Sequence, residues 1–141
     1  MVNLGISRMS TFVVGAALPE KRYIINRAAL VSYANASGDQ NPIHQNEEFA
    51  KSVGLENVIA HGMYTMGLVG QYVSAMAGSS SKVREFSARF TKPVVVPAGV
   101  DVELIVSATV VEVTDEIAKL ELTAICNEVK VLGMAKAVIL L

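Results

Sequence analysis

The sequence predicts an α+β fold in which an antiparallel sheet wraps one central helix. Three observations predict it. From Val58 to Ser81 there is no Asp, Glu, Lys or Arg, so a helix in this stretch is apolar nearly all round and belongs inside a fold. After residue 83 apolar and polar residues alternate with the period of strands. Gly78-Ser79-Ser80-Ser81 separates the two regimes.

The chain has 141 residues, 52% of them hydrophobic, which suits one domain spanning 1–141 with a sizeable core and no need of metals or disulfides. The formal net charge is -1 and the basic residues are scattered, which argues against a phosphate-tracking stripe for nucleic acid and against an acidic tail. Cys126 is the single cysteine, so no intramolecular disulfide or thiolate metal cluster can form. It follows the strand-like Thr123-Ala124-Ile125 and reads as a buried structural thiol, in keeping with a reducing cytoplasm. The apolar run Phe12 to Leu18 is short for a secretory leader, has only Arg8 before it and meets Pro19-Glu20-Lys21 at once; a cytoplasmic start is expected. The uncharged run Val58 to Ser81 is long enough to span a bilayer. Its His61, Gln71, glycines and serines favour burial inside protein instead, so no membrane insertion is expected.

The elements follow in order. Val13 to Leu18 leads into a short apolar strand at Tyr23-Ile24-Ile25. Arg27 to Ala36 reads as a helix, with Asn26 as N-cap, Leu30, Tyr33 and Ala34 on one face, and Gly38 ending it. Asn46 caps a short helix with Glu47 and Glu48 in its first turn, and Gly54 closes it. The central helix runs from Gly62 to about Ala77. In Val83 to Thr91, Phe86, Ala88 and Phe90 point one way and Arg89 the other. Pro93 and Pro97 make the next segment an edge or a crossing. Val100–Val113, Ile117–Cys126 and Val129–Leu141 form a meander with turns at Thr114-Asp115-Glu116 and Asn127-Glu128 and a bend at Gly133. A sheet wrapped in this way is expected to bury the whole circumference of the helix. The architecture that fits is a hot-dog fold.

The chemistry concentrates in Ser37-Gly38-Asp39-Gln40-Asn41-Pro42-Ile43-His44. Asp39 and His44 are a carboxylate and an imidazole five residues apart, the pairing that proton transfer needs. Gly38 permits unusual backbone, Pro42 fixes φ, and Asn41 before proline is held extended, so the loop is stiff. A plainer reading is a helix-ending turn in which Asp39 and Asn41 bond the backbone. The second segment, Ile59-Ala60-His61-Gly62-Met63, opens the long helix. Unpaired N–H groups and a positive dipole end lie there, and Gly62 leaves room for a substrate oxygen that turns enolate-like. Its plainer reading is an ordinary helix start, with His61 a satisfied core residue.

The run from Tyr33 to His44, with Ala50 six residues on, resembles the hydratase-2 signature of the MaoC-like dehydratases. Ala60-His61-Gly62-Met63 resembles that family's second block, and the likeness continues through Val83 to Pro97. It is nearest to the catalytic B subunit of the actinobacterial (3R)-hydroxyacyl-ACP dehydratases, with Ala36 smaller than the aliphatic often seen there. The resemblance implies a hot-dog hydro-lyase that interconverts (3R)-3-hydroxyacyl and trans-2-enoyl thioesters. Asp39 and His44 then take the acid/base roles and Gly62 N–H the oxyanion role, with Ser37, Gly38, Asn41, Pro42 and His61 in support. No metal or redox cofactor is implied, since the substrate rides on phosphopantetheine. Acyl carrier protein in fatty-acid (mycolic-acid-type) elongation is the favoured carrier. Coenzyme A, in degradation or polyhydroxyalkanoate supply, is the alternative. A non-catalytic thioester-binding subunit and a thioesterase are the other readings. Lys82, Arg84 and Arg89 are candidates for a phosphate or an acidic carrier, against the simpler reading of a solvated strand face. A dimer is expected, with a second copy or with a related motif-free hot-dog subunit.

Overall fold

Strand β1, Ala17–Ile25, opens a computed structural model that describes residues 12–141; Arg8, weighed above as a leader charge, lies outside them. Helix α1, Arg27–Ser37, follows, then a 3-10 turn at Pro42–His44 and the short helix α2, Glu47–Ser52. Helix α3, Gly62–Ala77, is the long one. The remaining strands are β2, Val83–Phe90, β3, Val102–Val113, β4, Ile117–Cys126, β5, Val129–Lys130, and β6, Leu132–Leu140. All pairings are antiparallel, in the order β1-β3-β4-β6-β2, with β5 attached to β4.

The alternation read from sequence decides what the sheet buries. Leu104, Val106 and Val110 of β3, Ala118, Leu120 and Ala124 of β4, and Ala137 and Ile139 of β6 are buried. They share one core with Val69, Tyr72, Val73 and Ala77 of α3. Helix α3 touches β1 and β2, the two edges of the sheet, as well as β6, so the sheet curls around it. The Tyr72 hydroxyl donates to the carbonyl of Pro19 at 2.7 Å and ties helix to edge strand. Cys126 is buried and burial pushes its thiol pKa up, as befits a structural thiol.

Three details differ from the sequence reading, and one choice it left open is decided. The sheet does not bury the whole circumference of α3: Met63, Gly67, Gln71 and Ala75, spaced by four, form an exposed stripe. A sheet covers a helix from one side, and these small or flexible residues lie on the other. The strand expected from Val100 begins at Val102, because Pro97 to Gly99 turns first and Gly99 has φ +71°. The segment Val129–Leu141 is two strands, not one bent strand. β4 pairs Ile125 with Lys130 but Glu121 with Lys136, so two extra residues bulge out around Met134, where φ is +48°. The segment around Pro93 and Pro97 is a crossing that bridges Val95 to Ile59. Among the described residues no helix is long and apolar enough to cross a membrane.

Removing the Tyr72 hydroxyl should leave the fold intact but loosen the helix-to-edge tie. Tyr72→Phe is expected to lower unfolding free energy by about 0.5–1.5 kcal/mol, read from the urea midpoint with an unchanged m value.

Candidate active site

The acid/base loop is built by local side-chain bonds. Gly38 caps α1 in the left-handed region, φ +82°, and donates its N–H to Ala34 O at 2.9 Å. Ser37 Oγ then accepts from Asp39 N–H at 3.2 Å, Asp39 Oδ1 from Asn41 N–H at 3.1 Å, and Asn41 Oδ1 from Ile43 N–H at 3.2 Å. Each side chain holds the backbone two residues on. Pro42 opens the 3-10 turn that carries His44 inward, where it is buried. The turn reading holds, and it leaves one carboxylate oxygen over for His44. One oxygen of Asp39 shapes the loop, and the other, Oδ2, lies 4.0 Å from His44 Nε2.

The tautomers follow from the partners. His44 Nδ1 lies 2.8 Å from Ile59 O, and a carbonyl only accepts, so Nδ1 carries the proton and the neutral ring keeps its lone pair on Nε2. His61 Nε2 lies 3.1 Å from Asp39 O and likewise donates. The two imidazoles stack with centroids 3.8 Å apart at 24°, and Tyr33 packs on the far side of His61 at 4.7 Å. His61 is 2% exposed and its Nδ1 has no partner, so it is a core histidine only partly satisfied. Burial lowers its pKa; the Asp39 carbonyl pulls the other way and His44 adds to the lowering. Burial thus favours the neutral form of His61.

The opposite wall is the start of α3. A strap at residues 57–60 delivers it. Ile59 N–H donates to Ile43 O at 3.2 Å, Ala60 N–H to Val94 O at 2.9 Å, and Val96 N–H to Val58 O at 2.8 Å. Arg27 clamps this strap, donating from Nε to Val96 O at 2.6 Å and from its terminal nitrogen to Asn57 Oδ1 at 2.9 Å. His61 is the N-cap but gives no side-chain cap, so the N–H groups of Gly62 and Met63 have no acceptor among the described residues. A Cβ on Gly62 would stand 3.2 Å from the Phe90 ring, so glycine permits this close packing.

Between these walls lies a cleft of about 370 Å³ whose lining includes His44, Gly62, Thr65, Phe90, Lys92 and Leu132. Asp39 stands at the mouth of this cleft, outside its lining, with its side chain 52% exposed and Oδ2 4.0 Å from His44 Nε2. A larger hollow of about 510 Å³ on the sheet's outer face, around Lys119, Met134 and Lys136, contains no histidine and none of these groups. Ligating atoms of Asp39, His44 and His61 lie within 4.8 Å of one another. Stacked rings point their nitrogens along nearly parallel planes, however, and Nδ1 of His44 and Nε2 of His61 are committed to carbonyls. The lone pairs do not converge, and the set suits a shared proton better than a cation.

The structure thus brings together Ser37, Gly38, Asp39, Asn41, Pro42, His44, His61 and Gly62. It does not bring Lys82 and Arg84 to them: these sit past the C-terminal end of α3, a helix of roughly 24 Å away from Gly62. Arg89 is exposed beside Phe90, and the cation that lines the cleft is Lys92. Arg27, Thr65 and Phe90 lie outside the two segments read for the site from sequence, and Tyr33 and Ile59 enter them without an assigned role. Only Thr65 carried a usable signal there, three residues after Gly62 and so on the same helix face.

A curled antiparallel sheet around one helix defines a hot-dog protein, here with an Asp/His loop facing the helix start. The model of the MaoC like domain matches residues 13–129, and the chain belongs to that family. It is 42% identical over 74 residues to 3-hydroxyacyl-thioester dehydratase X of Mycobacterium tuberculosis, a match covering 52% of this chain and 25% of that protein. Among solved structures it resembles a MaoC-like dehydratase with TM-score 0.87 and 34% identity, over 90% of this chain and 40% of that one. It also shares its fold with the ChsH1-ChsH2 complex from Mycobacterium tuberculosis, TM-score 0.79 at 22% identity, over 92% and 98% of the respective chains. The chain spans under a third of the length of the curated relatives it matches.

The neutral His61 carries a linkage consequence. Its folded pKa lies below the ordinary 6.5, so the unfolded chain binds more protons as pH falls past that value. The stability associated with neutral His61 is complete above about pH 6.5 and is lost on acidification toward the folded pKa. His61→Gln, which keeps a donor for Asp39 O, should lose less stability than wild type between about pH 7.5 and about pH 5.5, measured by urea denaturation.

Proposed function

We propose that this chain is the acid/base subunit of a (3R)-3-hydroxyacyl-thioester dehydratase, equally a trans-2-enoyl-thioester hydratase. The observation that carries the reading is His44 Nε2, left free by the Nδ1 bond to Ile59 O, beside Asp39 Oδ2 and across a cleft from the unpaired N–H of Gly62. The name of the relative aligned over 74 residues supports the substrate class.

In dehydration the thioester carbonyl oxygen accepts from Gly62 N–H, which stabilises charge as it develops there. His44 Nε2 takes the C2 proton, and that electron pair becomes the C2=C3 bond. The C3–O bond breaks, and the hydroxyl leaves as water with a proton from the Asp39 carboxyl group. The pair ends with its one proton on His44 instead of Asp39; across 4.0 Å it returns through one bridging water. Hydration runs the same steps backwards. The chemistry is proton transfer alone and calls for no metal or redox cofactor. The carrier is phosphopantetheine, on acyl carrier protein by likeness to the B-subunit signature; rates on matched acyl-ACP and acyl-CoA would tell the carriers apart.

A second hot-dog subunit completes the pocket in this reading. Strand β2 is an open sheet edge, and Phe90 and Met63, 55% and 60% exposed, stand beside the cleft. An unpaired edge flanked by exposed apolar side chains favours a partner. Either a second copy or a motif-free relative would serve. Native mass measurement should give a dimer as the active species, and an active monomer would refute it.

The central test is crotonyl-CoA hydration by the complete assembly. Asp39→Asn and His44→Ala should each lose roughly 10²–10⁴-fold in kcat. Full activity in either folded variant would sink the assignment. Binding without turnover would make the chain a thioester-binding subunit, and release of free thiol a thioesterase.

A further inference from the structure

We propose that Thr65 is a second donor to the thioester carbonyl oxygen, acting beside the Gly62 N–H. This rests on the reading that a thioester occupies the cleft. Thr65 lies one turn inside α3 and is 3% exposed, yet it lines the cleft that His44 and Gly62 share. Side chains on a helix lean toward its N-terminus, so the Thr65 side chain covers the turn that begins at Gly62.

The hydroxyl is uncommitted. A buried threonine within a helix ordinarily returns its hydroxyl to the carbonyl four residues back. For Thr65 that carbonyl is His61 O, which already accepts from Tyr64 N–H at 3.0 Å and Thr65 N–H at 3.2 Å. The Thr65 hydroxyl makes no hydrogen bond to any described residue. Unlike the sealed Tyr23 hydroxyl, the Thr65 hydroxyl oxygen keeps some access, and the cleft that Thr65 lines is where a partner can arrive.

The neighbours choose the kind of partner. Gly62 and Met63 contribute unpaired N–H groups at the positive end of the helix. Three donors grouped at one helix end suit an oxygen that gains negative charge. Phe90, Val94, Val131 and Leu132 supply apolar lining, which strengthens such bonds by keeping water away. The proton-handling groups, His44 and Asp39, already serve the C2 proton and the hydroxyl. The atom left without a second donor is the carbonyl oxygen.

The experiment compares Thr65→Val, which keeps the shape and removes the hydroxyl, with Thr65→Ser, which keeps the hydroxyl. Both are assayed for crotonyl-CoA hydration in the complete assembly, beside wild type and Asp39→Asn. Thr65→Val should lose about 10²-fold in kcat with KM within about twofold, while Thr65→Ser stays within about threefold of wild type. Should the valine variant misfold, Thr65→Ala is read by the same criteria. Three results overturn the proposal: Thr65→Val with wild-type kcat, a rise in KM alone, or a loss in Thr65→Ser as large as that in Thr65→Val. If wild type hydrates neither crotonyl-CoA nor crotonyl-ACP, the proposed function falls and takes this inference with it. If wild type is active, Asp39→Asn is not, and Thr65→Val is unimpaired, only the role of Thr65 falls.

Discussion

Ile59 gives both of its backbone groups to the loop that carries the acid/base pair. Its N–H holds Ile43 O, and its carbonyl holds His44 Nδ1. Its neighbours on either side are paired to Val94 and Val96, and Arg27 locks Val96 in turn. One strap thereby fixes three things at once: the depth of His44, the tautomer of its ring, and the point at which α3 begins. A displaced strap would move His44 and the helix N-terminus together, so the strap couples their positions across the cleft. This suits proton transfer, where small errors in placing reactive groups carry a large cost in rate.

The stack of Tyr33, His61 and His44 solves an electrostatic problem. Two imidazoles 3.8 Å apart cannot both be charged at low cost in a buried place. Burial keeps His61 neutral, so it offers His44 a flat surface without competing for the proton. Its own N–H is spent on the carbonyl of Asp39, which pins the carboxylate's backbone to the helix start. His61 thus couples the two halves of the site without entering the cleft itself.

The fold and the loop were legible because short-range rules wrote them. Alternation across β3 and β4 fixed the buried face, and the Ser37-to-His44 run contained its own turn chemistry. What could not be read depends on contacts between residues far apart in the chain. Arg27 bonds Val96, 69 positions away, and Ile59 acquires its importance only through residues brought beside it by folding. The bulge around Met134 is of the same kind, since register is settled by two neighbouring strands at once. The error about α3 had another source. Absence of charge does not require burial on every side, since Gly67 and Ala75 are small enough to face water with little apolar surface.

The contact between Gly62 and Phe90 bears on which molecules the site can admit. The approach to the helix start is bounded there by an aromatic ring on an edge strand, more than half exposed, and not by backbone. A ring of that kind can change rotamer without disturbing a hydrogen bond. The width of the entrance is therefore an adjustable property of one side chain, while the donors behind it stay rigid. If a substrate enters there, exchanging residue 90 would reshape the entrance while leaving the donors at the start of α3 in place.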